Sequence, residues 1–295
     1  MAVPAYRTPD GRFEGLPGWP YEPRYREVGG VRMHYVDEGT GDPILLLHGE
    51  PTWGYLYRKL IPHLIRVGRV VAPDYLGFGR SDKPIEAAWY SYDTHYSSIE
   101  ELVCDRLELR DVTVVVQDWG GPIGLRLAVT RPERVARLVV LNTGVGARPP
   151  SDEWLRFQAF MRRVGTEIVA SQLIRLSCAT ELPDDVAAAY DAPFPVAEAK
   201  AGVVAFPELV PTSAEHPSAA AMLAVRDALR RWEKPALVLF SDSDPIFSPA
   251  HAERMAELIP GAGAAEIVAG ASHFLQEDRG DELGRRIAAW LAGST

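Results

Sequence analysis

The sequence predicts an α/β fold with a mainly parallel central sheet flanked by helices and a helical cap inserted between two strands. In the first half of the chain, short apolar runs rich in β-branched residues alternate with segments of helical periodicity, an order typical of parallel sheets. Between about Gly144 and Arg230 the strand patterns stop, and segments rich in Ala, Glu and Arg replace them. We therefore expect a core domain of residues 1–145 and 231–295 and a cap domain of residues 146–230.

The individual elements follow from the same patterns. Apolar or alternating runs bounded by Gly, Pro and Asp predict strands, at residues 31–38, 44–47, 70–73, 114–116, 135–141, 236–240 and 265–268. Helical periodicity predicts helices, at residues 55–67, 92–107, 283–291 and from Leu125 onward. Because open parallel sheets carry their sites at the carboxyl ends of the strands, we expect the chemistry in the loops that follow these strands.

Composition and charge exclude several classes of function. The chain has 295 residues, a net charge of -9 and no basic run, so a nucleic-acid partner is not expected. No stretch approaches the roughly 18 apolar residues of a membrane span, and residues 1–23 lack the apolar core of a secretory leader. Cys104 and Cys178 lack the spacing of a metal or redox motif. We expect a cytoplasmic, monomeric enzyme with no metal, cofactor or membrane partner.

A strand, a sharp turn and a helix are indicated by the run VVVQDWGG at residues 114–121, which places Asp118 at the turn. In the nucleophile elbow of α/β-hydrolases this position carries the nucleophile, and the amides that follow point at it. The usual residue is serine, so an aspartate that merely caps the following helix is the alternative interpretation.

An aspartate nucleophile suits a different reaction from a serine. A carboxylate is already ionised at neutral pH, and it attacks a tetrahedral carbon bearing a leaving group rather than an amide. The attack leaves an alkyl ester on the enzyme, which water must cleave. A base and an oxyanion hole are therefore still required.

Two later strands end in candidates for the remaining groups. The strand at residues 236–240 is followed by Asp242 and Asp244, and the strand at residues 265–268 is followed by His273. Taken singly, such residues are more often turn formers or surface residues. The chain order of nucleophile, acid and histidine is that of the α/β-hydrolases, so the three positions together predict a catalytic group.

Four signatures are spread over nearly the whole chain: HGEPTW at residues 48–53, VVQDWGG at 115–121, APFP at 192–195 and HFLQED at 273–278. Together they resemble the haloalkane dehalogenases, specifically the subfamily with an Asp-His-Asp triad. The resemblance implies hydrolysis of a haloalkane with water to an alcohol, a halide ion and a proton, through a covalent alkyl-aspartate ester.

The resemblance also implies a role for each catalytic residue. Asp118 is the expected nucleophile, His273 the base for water, and Asp244 the acid that orients His273 and balances its charge. Asp242, nearer the strand, is the less favoured acid. The other position at which the family places this acid, after the preceding strand, is occupied by Asn142.

The oxyanion hole implied by the resemblance consists of the backbone amides of Glu50 and Trp119. The Glu50 side chain is expected near the hydrolytic water, with a cis bond before Pro51. The departing halide needs hydrogen-bond donors that do not give up their proton, and an indole N–H meets this need. Trp119 is the first such donor by position.

The second halide donor departs from the family pattern, which has Phe-x-x-Trp in the first cap helix. Here the two aromatics are exchanged, with Trp154 preceding Phe157. Residues three apart lie on one face of a helix, so both can border the pocket. We hypothesise that Trp154, rather than Phe157, supplies the second donor. Trp232 and Trp290 are expected to pack in the core.

Three other functions stay open at this point. An epoxide hydrolase shares the aspartate nucleophile but protonates its substrate with cap tyrosines, of which residues 144–230 contain only Tyr190. A haloacid dehalogenase would need arginines beside the nucleophile, and residues 119–121 provide none. A ligand-binding protein on a hydrolase fold is the alternative outside enzymes, although nucleophile, acid and base are all present.

Overall fold

The computed structural model describes residues 3–147 and 150–293, so residues 1, 2, 148, 149, 294 and 295 of the predicted domains lie outside it. Its strands are β1 (Ala5–Tyr6), β2 (Arg24–Val28), β3 (Val31–Gly39), β4 (Pro43–Leu47), β5 (Arg69–Pro73), β6 (Lys83–Pro84), β7 (Val112–Gln117), β8 (Val135–Leu141), β9 (Ala236–Ser241) and β10 (Glu266–Val268).

Eight of these strands form one sheet in the order β10-β9-β8-β7-β4-β5-β3-β2. All pairs from β10 to β5 are parallel, and β3 and β2 extend the sheet antiparallel at one edge. Strands β1 and β6 pair separately. The predicted α/β fold with a mainly parallel sheet is confirmed.

The α-helices are α1 (Ile61–Leu64), α2 (Tyr92–Glu100), α3 (Gly120–Thr130), α4 (Asp152–Val164), α5 (Ala170–Leu176), α6 (Asp184–Asp191), α7 (Ala201–Ala205), α8 (Ala219–Leu229), α9 (Pro249–Leu258) and α10 (Leu275–Gly293). Short 3-10 helices cover Asp10–Phe13, Gly54–Tyr57, Ala87–Trp89, Gly165–Glu167, Ala197–Lys200 and Phe206–Leu209. Within the described ranges no helix is long and apolar enough to cross a membrane.

The central strands are apolar throughout because helices cover both faces of the sheet. Along β7, Val114 and Val116 belong to one buried cluster and Val115 to another, as the alternation of side chains along a strand requires. Helices α2, α3, α8 and α9 contribute to the first cluster, and α1 and α10 contribute to the second. Strands buried on both faces read as continuous hydrophobic runs.

Between β8 and β9 the described residues form helices and no strand. This helical segment, residues 150–230, runs from α4 to α8 and packs beside the carboxyl ends of the strands, where residues from α4, α5 and α8 border a cavity. The change of composition after Gly144 therefore marks a real change of architecture.

Three predicted helices differ from the observed ones in detail. The segment 55–67 is not one helix, since a 3-10 turn at Gly54–Tyr57 precedes the single turn of α1, which has Pro62 near its start. Proline lacks the amide that a longer helix would need there. The helix predicted at 92–107 is α2 followed by a π-helical turn at Glu101–Arg106. Helix α3 starts at Gly120, before the apolar pattern from Leu125.

Candidate active site

Asp118 lies at the sharp turn between β7 and α3. Its φ of 48° falls in the left-handed region that non-glycine residues rarely adopt. Hydrogen bonds to its main chain hold this conformation: its amide donates to the Asn142 carbonyl at 3.0 Å, and its carbonyl accepts from the Thr143 hydroxyl at 2.6 Å. The turn places the Asp118 carboxyl group on the wall of a cavity at the carboxyl edge of the sheet.

Glycine at the start of α3 allows this turn to pack against the neighbouring strands. A Cβ at Gly120 would overlap the backbone of Leu47, and one at Gly121 would lie 2.7 Å from Cβ of Thr143. Both contacts are shorter than real side chains make. The glycines after Asp118 are therefore required by the close approach of helix and sheet.

The structure brings Asp118, His273 and Asp244 together. His273 Nδ1 lies 2.9 Å from Asp244 Oδ2, and His273 Nε2 lies 3.8 Å from Asp118 Oδ1. The other oxygen of Asp244 accepts the amides of Ile246 and Phe247 at 2.7 and 3.0 Å. One side of the imidazole is thus fixed by a buried carboxylate, and the other faces the cavity.

Asp242 is not brought to this group. Its side chain is exposed and accepts the amides of Gly270 at 3.0 Å and Ala271 at 3.3 Å. It therefore ties the loop after β9 to the loop after β10 and makes no hydrogen bond with His273.

Glu50 lies beside Asp118, and the peptide bond between Glu50 and Pro51 is cis, as predicted. The Glu50 amide donates to Asp118 Oδ2 at 2.9 Å. Burial raises the pKa of Asp118 above its ordinary value, although the charge of His273 and the amides of Glu50 and Trp119 oppose this shift. The Glu50 side chain is buried and borders the cavity. Burial, with the charge of Asp118, raises the pKa of Glu50 well above its ordinary value.

Electrostatics make the imidazole basic. Burial alone would lower the pKa of His273, but the charge and hydrogen bond of Asp244 and the charge of Asp118 raise it to about 9. Burial alone would raise the pKa of Asp244, but the charge and hydrogen bond of His273 hold it below its ordinary value. The two neighbouring carboxyl groups therefore favour the charged form of His273.

Three residues around His273 were not predicted. Gln117 and Asn142 donate side-chain N–H groups to the His273 carbonyl at 3.2 and 3.3 Å. The Phe247 ring stacks on the imidazole, with centroids 6.0 Å apart and an angle of 22° between the planes. Gln117 stands next to Asp118 in the sequence, which is a usable signal, whereas nothing in the sequence singles out Phe247.

The cavity in front of these residues has a volume of about 960 Å³. It lies between the carboxyl edge of the sheet, the helical segment and α9. Glu50, Asp118, Trp119 and His273 supply polar groups to its wall. Its apolar walls include Pro122, Leu173, Pro207, Val210, Met222, Phe247 and Phe274. A largely apolar pocket with a few converging polar groups is the usual form of a small-molecule site.

Trp119, Trp154 and Phe157 all border this cavity. Trp119 is buried, and its indole meets the Phe206 ring edge to face at 5.0 Å. Trp154 and Phe157 lie one turn apart on α4, which Ser151 caps by accepting the Trp154 amide at 3.2 Å. The exchanged aromatics therefore share one wall, as their spacing predicts. Trp232 is buried and Trp290 partly buried, both away from the cavity.

Tyr190 does not face the cavity. It is fully buried, and its hydroxyl donates to the Glu277 carboxylate. Among the described residues, no tyrosine borders the cavity. An epoxide hydrolase needs such a hydroxyl to protonate the epoxide oxygen, so this geometry disfavours that alternative.

Substituting Ala for Gly49 is expected to reduce turnover about 100-fold, because displacing a catalytic group by about 1 Å costs on that order. A Cβ at Gly49 would overlap the Asp118 carboxyl group and lie 2.8 Å from its Cγ. Gly263→Ala is the matched control, since its Cβ would meet nothing within 4 Å. Steady-state halide release measures both. Unchanged turnover in Gly49→Ala would mean that this contact does not fix the nucleophile.

Comparison with known proteins agrees with the geometry. Residues 42–280 match the family of the alpha/beta hydrolase fold. The chain is 44% identical over 297 residues to a haloalkane dehalogenase from Mycobacterium marinum, covering 96% of this chain and 98% of the relative. It is 41% identical over 298 residues to one from Psychrobacter cryohalolentis, covering 97% of each.

Solved structures agree as well. Haloalkane dehalogenase DpaA from Paraglaciecola agarilytica NO2, whose structure is described as tetrameric, superposes with a TM-score of 0.92 at 35% identity and 99% coverage of both chains. DatA from Agrobacterium tumefaciens C58 superposes with a TM-score of 0.85 at 26% identity, covering 97% of this chain and 100% of DatA. The chain belongs to the α/β-hydrolase superfamily and, within it, to the haloalkane dehalogenases.

Proposed function

We propose that Asp118, His273 and Asp244 hydrolyse haloalkanes in two steps through an alkyl ester of Asp118. The observation that carries this proposal is a carboxylate, in place of a hydroxyl, at the turn between β7 and α3. The Glu50 amide holds one carboxylate oxygen at 2.9 Å. Oδ1, 3.8 Å from the His273 Nε2, is then the oxygen that attacks the substrate.

In the first step the carbon–halogen bond breaks as the bond to Asp118 Oδ1 forms. The halide leaves with the bonding electron pair, and no proton moves. His273 is not needed as a base here, and its positive charge is compatible with a departing anion.

The second step needs a neutral imidazole. Alkylation removes the negative charge of Asp118, which is one of the causes that raise the pKa of His273. His273 then loses its proton to solvent more readily, accepts one from water, and the water oxygen attacks the ester carbonyl. The amides of Glu50 and Trp119 stabilise the negative charge that develops. The bond between the carbonyl carbon and the alkoxy oxygen breaks, and the alkoxy oxygen takes the proton that His273 accepted from water, so the alcohol departs. The carboxyl group formed at Asp118 then gives its proton to His273, which regenerates the carboxylate.

Trp119 and Trp154 are proposed as the halide donors. Replacing Trp154 by Phe is expected to weaken bromide binding and slow turnover by about 10- to 100-fold, since a hydrogen bond to a charged group contributes about 1.5 to 3 kcal/mol. Phe157→Trp is expected to change both more modestly. Bromide titration of the tryptophan fluorescence and steady-state kinetics measure the two effects.

Trp290→Phe is the matched control for that substitution, because Trp290 lies away from the cavity. It should leave bromide affinity unchanged. If Trp154→Phe behaves like Trp290→Phe, Trp154 only packs, and Trp119 is helped by another donor.

The substrate class is tested by measuring halide and alcohol release over a panel of terminal bromoalkanes, chloroalkanes and epoxides. One halide per alcohol supports the proposal, whereas diol formation from epoxides without dehalogenation would favour the alternative. The cavity of about 960 Å³ is at the upper end of ordinary ligand sites. We therefore expect bromoalkanes longer than bromoethane to be accepted.

We further propose that residues 1–145 and 231–295 act as the core domain and residues 146–230 as the cap that closes the cavity. A monomer in the cytoplasm stays the prediction for assembly and compartment. Because the Paraglaciecola enzyme is described as tetrameric, light scattering of the purified protein is the direct check on the oligomeric state.

A further inference from the structure

Residues 272–278, here called the base loop, comprise the end of the loop after β10, which carries His273, and the first turn of α10. Glu277, in that first turn, is buried. Its carboxylate accepts both terminal nitrogens of the buried Arg58, one of them at 2.7 Å, and the hydroxyl of Tyr190. Arg58 belongs to the core, while Tyr190 belongs to α6 in the helical segment. One carboxylate therefore joins the base loop to both parts of the molecule.

The next residue makes a second link of the same kind. Asp278 accepts the amide of Ser272 at 2.9 Å, directly before the catalytic histidine. It also accepts the amide and the hydroxyl of Thr180 at 2.8 and 2.7 Å. Thr180 lies between α5 and α6, so this contact again spans the base loop and the helical segment.

These contacts differ from surface ion pairs in their surroundings. Burial raises the pKa of Glu277, but Arg58 and Lys59 lower it below its ordinary value, so the carboxylate stays charged. Hydrogen bonds to a buried charge are the stronger class of hydrogen bond and fix geometry. Tyr190 and Thr180 each contribute one hydroxyl to the network.

We propose that Tyr190 and Thr180 are positioning residues for ester hydrolysis, which act by clamping the base loop to the helical segment through Glu277 and Asp278. Neither side chain borders the cavity, so neither touches the substrate. This inference rests on the proposed function, because only there does His273 act in the second step and not in the first. The clamp should therefore affect hydrolysis of the ester and leave its formation unchanged.

The test separates the two steps by rapid-quench mass spectrometry with 1,2-dibromoethane, following formation and decay of the alkyl-enzyme. In Tyr190→Phe, formation is expected to stay within about twofold and decay to slow about three- to tenfold, since small displacements of a catalytic group are costly. Thr180→Val is expected to slow decay by less, and Thr180→Ser, which keeps the hydroxyl, should restore it. In Tyr190→Phe the imidazole is held less firmly against Asp244, whose charge raises the pKa of His273. The pH profile of ester decay should therefore shift to lower pH.

Ser171→Ala is the matched control. Its hydroxyl donates to Asp191, the neighbour of Tyr190 on α6, at 2.6 Å, and not to Glu277 or Asp278. It should change neither rate. Equal slowing of both steps in Tyr190→Phe, or no slowing of either, overturns the clamp. If the unaltered protein forms no alkyl-enzyme at all, the proposed function itself has failed.

Discussion

Substituting Gln for His273 is expected to stop turnover and leave the enzyme alkylated on Asp118. The Asp118 carboxylate needs no base to attack the substrate, so ester formation continues. Without an imidazole 3.8 Å from Oδ1, no group activates water at the ester, and general-base assistance contributes roughly 10² to 10⁴ in rate. Hydrolysis should therefore fall by about that factor and become the limiting step.

Mass spectrometry of the variant after exposure to 1,2-dibromoethane should show one bromoethyl group per chain, on the peptide that contains Asp118. The control is Asp118→Asn treated in the same way, which should carry no bromoethyl group because an amide does not attack the substrate. Normal product release by the His273→Gln variant, with no adduct, would contradict the mechanism.

Replacing Asp244 by Asn is expected to have the second largest effect. In Ser-His-Asp triads the corresponding change lowers kcat about 10⁴-fold, because the histidine is then held in the wrong tautomer. Here the carboxylate is also the leading cause that raises the pKa of His273. In Asp244→Asn the pKa of His273 should therefore fall, and the pH dependence of ester hydrolysis should move to lower pH. Kinetics of halide and alcohol release over a range of pH measure both effects.

Asp242→Asn is the matched control for Asp244→Asn, because the two aspartates stand two residues apart in one loop. Asp242 is exposed and accepts the amides of Gly270 and Ala271 and the hydroxyl of Ser243. We expect turnover within about threefold of the unaltered enzyme, since substitutions away from buried networks have small effects. A larger loss of turnover in Asp242→Asn than in Asp244→Asn would mean that Asp242, and not Asp244, is the acid that acts on His273.

Most strands could be predicted because each is a short apolar run with clear boundaries. The prediction for 135–141 matches β8 (Val135–Leu141) residue for residue. β2 was missed because Arg24–Val28 carries three charged residues at the exposed edge of the sheet. The 3-10 turn at Gly54–Tyr57 was read as part of a longer helix, since all four of its residues are buried and show no polar face to define a period.

The site could be predicted as far as its residues follow strands. Asp118, Asp244 and His273 each stand just beyond a buried strand, and the structure brings them together. Phe247 could not be found this way, because its contact with His273 exists only once the loops after β9 and β10 meet. In the sequence, Asn142 indicates only that this position lacks an acid, although its side chain donates to the backbone of the base loop.

The turn at Asp118 fixes where the side chain of residue 118 lies, but it does not fix which reactive group that side chain carries. The hydrogen bonds that hold the turn use the amide and carbonyl of residue 118, and its left-handed φ belongs to the backbone. The hydrogen bonds do not depend on which side chain the residue carries, and the left-handed φ disfavours chiefly β-branched and bulky residues. A change of residue at 118 would therefore alter the reaction without rebuilding the turn. The same kind of turn can in this way present the serine of other α/β-hydrolases or the aspartate found here.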